Sequence, residues 1–223
     1  MSGPPGEADW PVDIGCGLCG HTPTRGFARV ASGRYGCCPE CGLIFQHPDE
    51  RPDALTEHRL YSAHDNRIDD PGYRAFLQRL INRLIPQLAP GACGLDYGAG
   101  PGPALAAMLA EAGFPTAVYD PFFAPDTTVL ARRYDFVVCT ETAEHFHHPG
   151  AAFNQIAGLL QPAGCLGLMT RLFDAGIDFA AWHYHRDPTH VSFYTESTLD
   201  WLATRHGWRW RRYGADVVIL RQA

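Results

Sequence analysis

Apolar side chains recur at helical spacing across residues 73–88, at Phe76, Leu77, Leu80, Ile81, Leu84, Ile85 and Leu88. Residues three and four apart share one helix face, so the run predicts an amphipathic helix, with Pro86 bending its last turn. From residue 91 the period changes. Short apolar runs at 93–97, 116–119, 136–140 and 164–172 read as strands, and helical patterns at 103–112, 151–160 and 199–206 lie between and after them. Runs at 208–213 and 217–220 read as a closing strand pair. This alternation predicts an α/β fold: a mostly parallel sheet with helices on both faces and an antiparallel pair at its C-terminal end.

The first part of the chain has a different texture. Residues 1–12 form a Pro/Gly tail and are expected to be disordered. Residues 13–48 hold five of the eight cysteines, many glycines and little periodicity, so they need a staple to hold a shape. Residues 49–90 are expected to be a polar connector followed by the helix, and 91–223 the sheet domain. The cysteines are spaced Cys16-x-x-Cys19 and Cys38-x-x-Cys41 with eighteen residues between the pairs. That spacing lies within the window for zinc, and a glycine after each pair permits the tight turn that aims amides at the thiolates. Four thiolates close a tetrahedral shell, so this zinc-ribbon-like module predicts a structural ion without an open position. The competing reading is a set of buried or redox cysteines. Cys37 is the spare, or a substitute for Cys38; Cys93, Cys139 and Cys165 fall in apolar runs and are expected in the core.

Composition narrows the function classes. The 223 residues suffice for one domain plus an appendage, and 46% hydrophobic content supports a sizeable core. A net charge of −6, with all eighteen cationic side chains arginine, speaks against a broad basic surface for duplex nucleic acid. Arg25, Arg29 and Arg34 leave only a weak local basic face on the module. No run approaches the length of a membrane span, and the first residues lack a basic start and an apolar stretch. A cytoplasmic protein is expected, where paired cysteines more often bind metal than form disulfides.

The most specific chemistry lies at Gly94-Leu95-Asp96-Tyr97-Gly98-Ala99-Gly100-Pro101-Gly102, a glycine loop that leaves a strand and opens a helix. Glycines there allow positive φ and close approach of a ligand, and the helix start offers unpaired amides. The spacing misses the G-x-G-x-x-G dinucleotide fingerprint by one residue, and Asp96 suits an ammonium better than a pyrophosphate. These residues resemble the first motif of class I S-adenosylmethionine (SAM)-dependent methyltransferases, in a methyltransferase-23-like subgroup, over roughly residues 72–223. The resemblance implies that Asp96, Tyr97, Gly98, Ala99, Gly100 and Gly102 wrap the amino-acid end of SAM. It also implies that Asp120, eighteen residues after Gly102, holds the ribose hydroxyls, with Pro121 beside it and Glu141 lining the same site. One departure stands out: only fourteen residues separate Asp120 from Asp135, where the family fits a further helix-strand-helix unit, and 127–130 is expected as a vestigial third strand.

Two further segments carry the acceptor side. Glu141-Thr-Ala-Glu144-His145 resembles the metal-binding set of quinone-biosynthesis O-methyltransferases and small-RNA 2′-O-methyltransferases, which makes Glu141, Glu144 and His145 candidates for a second, divalent metal. The alternative is that Glu144 and His145 shape the pocket or move a proton without metal. His147 and His148 precede Pro149 and are expected on a loop surface. The segment Trp182-His-Tyr184-His-Arg-Asp187-Pro-Thr189-His190 mixes aromatic and titratable groups in the manner of a pocket wall, and its place in the chain implies a lid. His190 is the first candidate general base, with His145 and Glu144 as further catalytic candidates and His183 and Asp187 behind them. The expected activity is methyl transfer to a small-molecule acceptor, sugar or natural-product-like, with oxygen slightly favoured. The alternatives are an inactive zinc-ribbon interaction protein and an RNA-modifying methyltransferase. Neither the acceptor nor the oligomeric state is legible.

Overall fold

The computed structural model describes residues 10–63 and 67–222. In chain order the elements are β1 (Arg25–Val30), β2 (Gly33–Cys37), β3 (Ile44–Gln46), α1 (Ala54–Tyr61), α2 (Pro71–Leu84), β4 (Gly94–Tyr97), α3 (Ala104–Glu111) and β5 (Thr116–Tyr119). There follow β6 (Tyr134–Thr140), α4 (Pro149–Leu159), β7 (Leu160–Met169), β8 (Ser192–Phe193), α5 (Glu196–His206), β9 (Trp208–Tyr213) and β10 (Val217–Gln222).

The larger sheet has the order β5-β4-β6-β7-β10-β9. Its first four strands are parallel, and β10 and β9 close it antiparallel, as the alternation predicts. Both faces are covered. Along β6, Val137 and Cys139 enter a core shared with Phe153 and Ile156 of α4 and Leu199 and Leu202 of α5. Phe136 and Val138 enter the opposite core, with Leu77, Leu80, Ile81 and Leu84 of α2 and Leu105 and Leu109 of α3. Successive strand residues point to opposite faces, so one apolar strand feeds both cores, and each large side chain so buried contributes roughly 1.5–3 kcal/mol. Pro86 ends α2 in a 3-10 turn at Ile85–Gln87, since it cannot donate into the helix ladder.

The third strand is absent: Thr127–Ala131 is a 3-10 helix capped by Asp126, and β5 is the sheet edge. Fourteen residues cannot hold a third strand and the two crossovers that would lead into and out of it, because each crossover alone takes a dozen or more. Cys93 is exposed, just before β4 begins, whereas Cys139 and Cys165 are buried as expected. Of the expected disordered tail, residues 1–9 lie outside the described residues, but Trp10 is buried. Its ring meets Phe45 edge-on and its Nε1 donates to Thr24 Oγ1 at 3.0 Å.

The smaller sheet joins the cysteine module to the rest of the molecule. Its order is β1-β2-β3-β8, so its fourth strand comes from the far end of the histidine-rich segment. Ile44 pairs with Phe193 and Phe45 with Ser192. Tyr35 and Ile44 share a buried aromatic cluster with Phe179, Trp182, Tyr184 and Phe193. On another side Gly150 donates its N–H to Gly17 O at 3.0 Å, and a Cβ at Gly150 would lie 2.4 Å from Leu18 O, so α4 can meet the module this closely only through glycine.

Candidate active site

A cavity of about 780 Å³ opens at the carboxyl ends of β4, β5 and β6. This is where ligands bind in open α/β sheets. Its floor is the glycine loop. Gly98 has φ +80° and Gly100 φ +65°, conformations that L side chains rarely adopt. A Cβ on Gly98 would lie 2.1 Å from Thr142 Cγ2, and Thr142 Oγ1 donates to Gly98 O at 2.8 Å, so the β6 loop clamps the β4 loop. Asp120 is buried and ties the cradle together. One carboxylate oxygen accepts the Gly100 N–H at 2.9 Å, and the other accepts those of Phe122 and Phe123 at 2.8 and 3.0 Å.

Asp96 is 1% exposed and its Oδ1 has no partner. Burial pushes its carboxyl up to about 7; the Ala106 amide opposes the rise and the Asp120 charge adds to it. Glu141 sits across the cavity with φ +46°, an unusual conformation for a non-glycine residue and of the kind that collects at functional sites. Burial pushes its carboxyl up to about 9, with Glu144 and Asp216 adding and Arg79 opposing. Tyr97, Ala99, Gly102 and Pro121 also line the cavity, so every expected cofactor residue comes together in one place.

On the opposite wall His145 and His190 stand with ring centroids 4.8 Å apart. The Nδ1 of His145 lies 2.9 Å from Thr189 O and that of His190 lies 2.7 Å from Tyr184 O. A carbonyl oxygen only accepts, so both Nδ1 atoms carry a proton, and in the neutral ring the lone pair lies on Nε2. Burial lowers the pKa of His145, which keeps it neutral at pH 7. Asp187 Oδ2 lies 3.9 Å from His190 Nε2. Although burial works against it, the hydroxyl and amide of Thr189 hold the Asp187 carboxyl below the usual range.

Glu144 is fully buried behind this wall. Its Oε1 accepts the Tyr184 hydroxyl at 2.6 Å and its Oε2 has no partner. The structure groups it with His145 and His190, whose ligand atoms all lie within 4.8 Å of one another. Of the candidate set Glu141, Glu144 and His145, the last two lie in that group with His190, and Glu141 lies outside it. The remaining candidate, His183, is exposed and outside the cavity lining, because the 3-10 turn His183–Arg186 directs Tyr184 and His185 inward instead.

Several cavity residues were not anticipated. His147 and His148 both line the cavity; His148 is exposed, as expected of a surface loop, whereas His147 is half-buried with its Nε2 2.8 Å from Glu57 Oε1. Glu57 and Tyr61 come from α1, inside the segment expected to be a connector. The signal for α1 was present: Asp53 caps it, accepting the Thr56 N–H at 2.8 Å, a short side chain placed just where a helix start needs one. Phe122 and Phe123 complete this wall, with His58 stacked on Phe123 at 5.5 Å.

The four module cysteines converge as their spacing predicts. Cys16 Sγ lies 3.5 Å from Cys41 Sγ and Cys19 Sγ 3.4 Å from Cys38 Sγ, and Cys37 stays outside the cluster. The Leu18 N–H points at Cys16 Sγ at 3.4 Å.

A parallel sheet with a glycine cradle after its first strand and an acid after its second defines the class I SAM-dependent methyltransferase architecture. Residues 70–212 match the methyltransferase-domain family, and the chain belongs to it. Among solved structures it is similar to 1,6-didemethyltoxoflavin-N1-methyltransferase from Burkholderia thailandensis, bound to 1,6-didemethyltoxoflavin and S-adenosylhomocysteine. That likeness has 18% identity, 89% of this chain and 99% of that one covered, and a TM-score of 0.55. It is also similar to a sarcosine dimethylglycine methyltransferase candidate from Galdieria sulphuraria, at 17% identity, 71% and 74% coverage and a TM-score of 0.51. No curated protein matches the sequence. Among the described residues no helix is long and apolar enough to cross a membrane.

Proposed function

We propose that the protein transfers a methyl group from SAM to a small-molecule acceptor, with oxygen the favoured nucleophile. The observation that carries this is Asp96: a buried carboxylate with an unpartnered oxygen at the head of a glycine cradle, an arrangement that costs stability unless a cation arrives. The residues fit SAM. Asp96 would face the ammonium, Asp120 Oδ2 keeps a lone pair for a ribose hydroxyl, and the Gly98–Gly102 backbone would lie against the amino-acid end. SAM supplies an electrophilic methyl group. The chain holds the acceptor in line with it, which accounts for much of the rate in a displacement of this kind. The lone pair of His190 Nε2 takes the acceptor proton, and Asp187 stabilises the imidazolium that results. His145 supports the same wall in its neutral form.

A second reading of that wall has its own observation. Glu144 Oε2 lacks a partner, and two imidazole Nε2 atoms stand bare beside it, each oriented by a carbonyl on Nδ1 as metal-bound histidines are. Glu144, His145 and His190 would hold a divalent ion, which would lower the pKa of an acceptor hydroxyl. In the module, Cys16, Cys19, Cys38 and Cys41 fit a structural zinc ion: four free thiols in one cluster, none left over for an open position. The test is titration of SAM and of S-adenosylhomocysteine into the protein, with NADH as control. Micromolar binding that Asp120→Ala abolishes supports the reading. A folded, zinc-loaded protein that binds neither ligand overturns it.

A further inference from the structure

The acceptor side of the cavity has a one-sided charge. Five carboxylates line the cavity as a whole, from Glu57, Asp96, Asp120, Glu141 and Asp187, and no arginine does. The chain has no lysine, and none of the residues outside the described ones is an arginine. The two arginines near the walls are committed elsewhere. Arg51 donates to Gln46 O at 3.1 and 3.0 Å and to His147 O at 2.8 Å. Arg79 pairs with Asp216 at 2.7 Å.

SAM, on the reading above, uses Asp96, Asp120 and Glu141. That leaves Glu57 and Asp187 for the acceptor. They flank one phenol: the pKa of Tyr61 is raised first by burial and then by the charges of both carboxylates. The rings of Tyr61, Phe122 and Phe123 complete the wall. Carboxylates backed by aromatic faces attract cations twice over, through charge and through the ring quadrupole. An anion placed there would meet two carboxylates, and the imidazole nearest Glu57, His147, already has its Nε2 2.8 Å from Glu57 Oε1.

We propose that the acceptor is an amine-bearing small molecule held as a cation by Glu57 and Asp187, and that carboxylated, phosphorylated and nucleotide-bearing acceptors are refused. This rests on the methyltransferase reading of the cavity. It separates a free amine-bearing metabolite from an RNA, whose phosphates would crowd the same carboxylates. His190 then has a defined task. As an acceptor hydroxyl attacks the methyl carbon, its O–H proton would pass to His190 Nε2 and the methyl–sulfur bond would break to leave S-adenosylhomocysteine, while the ammonium stays paired with Glu57 and Asp187.

The experiment uses the full chain saturated with S-adenosylhomocysteine, in EDTA, titrated with three phenols that differ only in charge: tyramine (cation), 4-ethylphenol (neutral) and 4-hydroxyphenylacetate (anion). S-Adenosylhomocysteine binding is measured first, so its failure reports on the SAM reading and not on this one. The expected order is cation, then neutral, then anion, with about tenfold between the first two, as one partly solvated charge pair produces. In Glu57→Gln/Asp187→Asn the order collapses while S-adenosylhomocysteine still binds; Asp187→Asn alone serves if the double variant does not fold. Anion binding equal to or tighter than that of the cation, equal or absent binding of all three, an order unchanged in the variant, or anion binding that appears on adding manganese would each overturn the proposal.

Discussion

Replacing Asp96 by asparagine tests the physical core of the site, because it should make the empty protein more stable while disabling it. The carboxyl is 1% exposed, one of its oxygens has no partner, and burial has pushed it up to about 7. The ordinary value is 3.8. The folded protein therefore holds a proton that the unfolded chain has already released between about pH 4 and pH 7. Its stability falls as pH rises through that window and is lowest above it. At about 1.4 kcal/mol per tenfold, the gap amounts to roughly 4 kcal/mol at pH 8. Asparagine keeps the shape without the charge. Its amide still needs partners, so a gain of about 2–4 kcal/mol at pH 8 is expected, shrinking towards zero near pH 4.

The assay is denaturant unfolding of both proteins, without ligand, at pH 4.5, 6 and 8. The chain has eleven histidines, so the difference between the two proteins, not either curve alone, carries the result. S-Adenosylhomocysteine affinity should fall about 10- to 100-fold in Asp96→Asn, the worth of a charge-assisted hydrogen bond. If Asp96→Asn is no more stable than the wild type at pH 8, or the difference does not depend on pH, Asp96 is not a strained charge awaiting a cation and the argument fails.

Gly98→Ala should destabilise the fold by about 2–4 kcal/mol, adding a left-handed residue's cost to a Cβ clash, and abolish S-adenosylhomocysteine binding. Because the clash at 2.1 Å is with Thr142 Cγ2, Gly98→Ala/Thr142→Ser should recover part of the stability, and no recovery would rule out that contact as the cause. His190→Gln should lower kcat by about 10²- to 10⁴-fold with SAM affinity unchanged. A loss confined to SAM binding would remove it from the acceptor side. Cys38→Ser should remove the capacity to bind zinc at the cysteine cluster and expose residues 173–194 to proteolysis, because β8 pairs with β3 of the module. Limited digestion that cuts the module and spares that segment would show that the two are not coupled. Tyr184→Phe should leave Glu144 without its side-chain partner and cost about 1–3 kcal/mol in thermal or denaturant unfolding; an unchanged midpoint would show that this buried hydrogen bond carries no stability.

What was legible from the sequence is what short stretches determine by themselves. The glycine loop announces its positive φ angles because only glycine tolerates them, and Gly98 and Gly100 have them. The β/α alternation follows from side-chain period, and the cysteine pairs from the reach of a tight turn. Asp96 and Asp120 could be placed because each ends a strand whose partner strands are parallel neighbours. The tertiary structure alone decided the acceptor wall. Glu57, His147 and His190 come from three separate segments, and no local period records that α1 would fold back over the β6 loop. It set His190 beside Glu144 and His145, with the Val191 N–H bonded to Glu144 O at 2.8 Å, while Glu141 takes a left-handed turn outside that group. It also joined the cysteine module to the strand that follows His190, through a pairing between Ile44 and Phe193 that spans most of the chain. Contacts of this range depend on which faces are left to bury once the local elements exist, and a sequence read in windows does not contain that information.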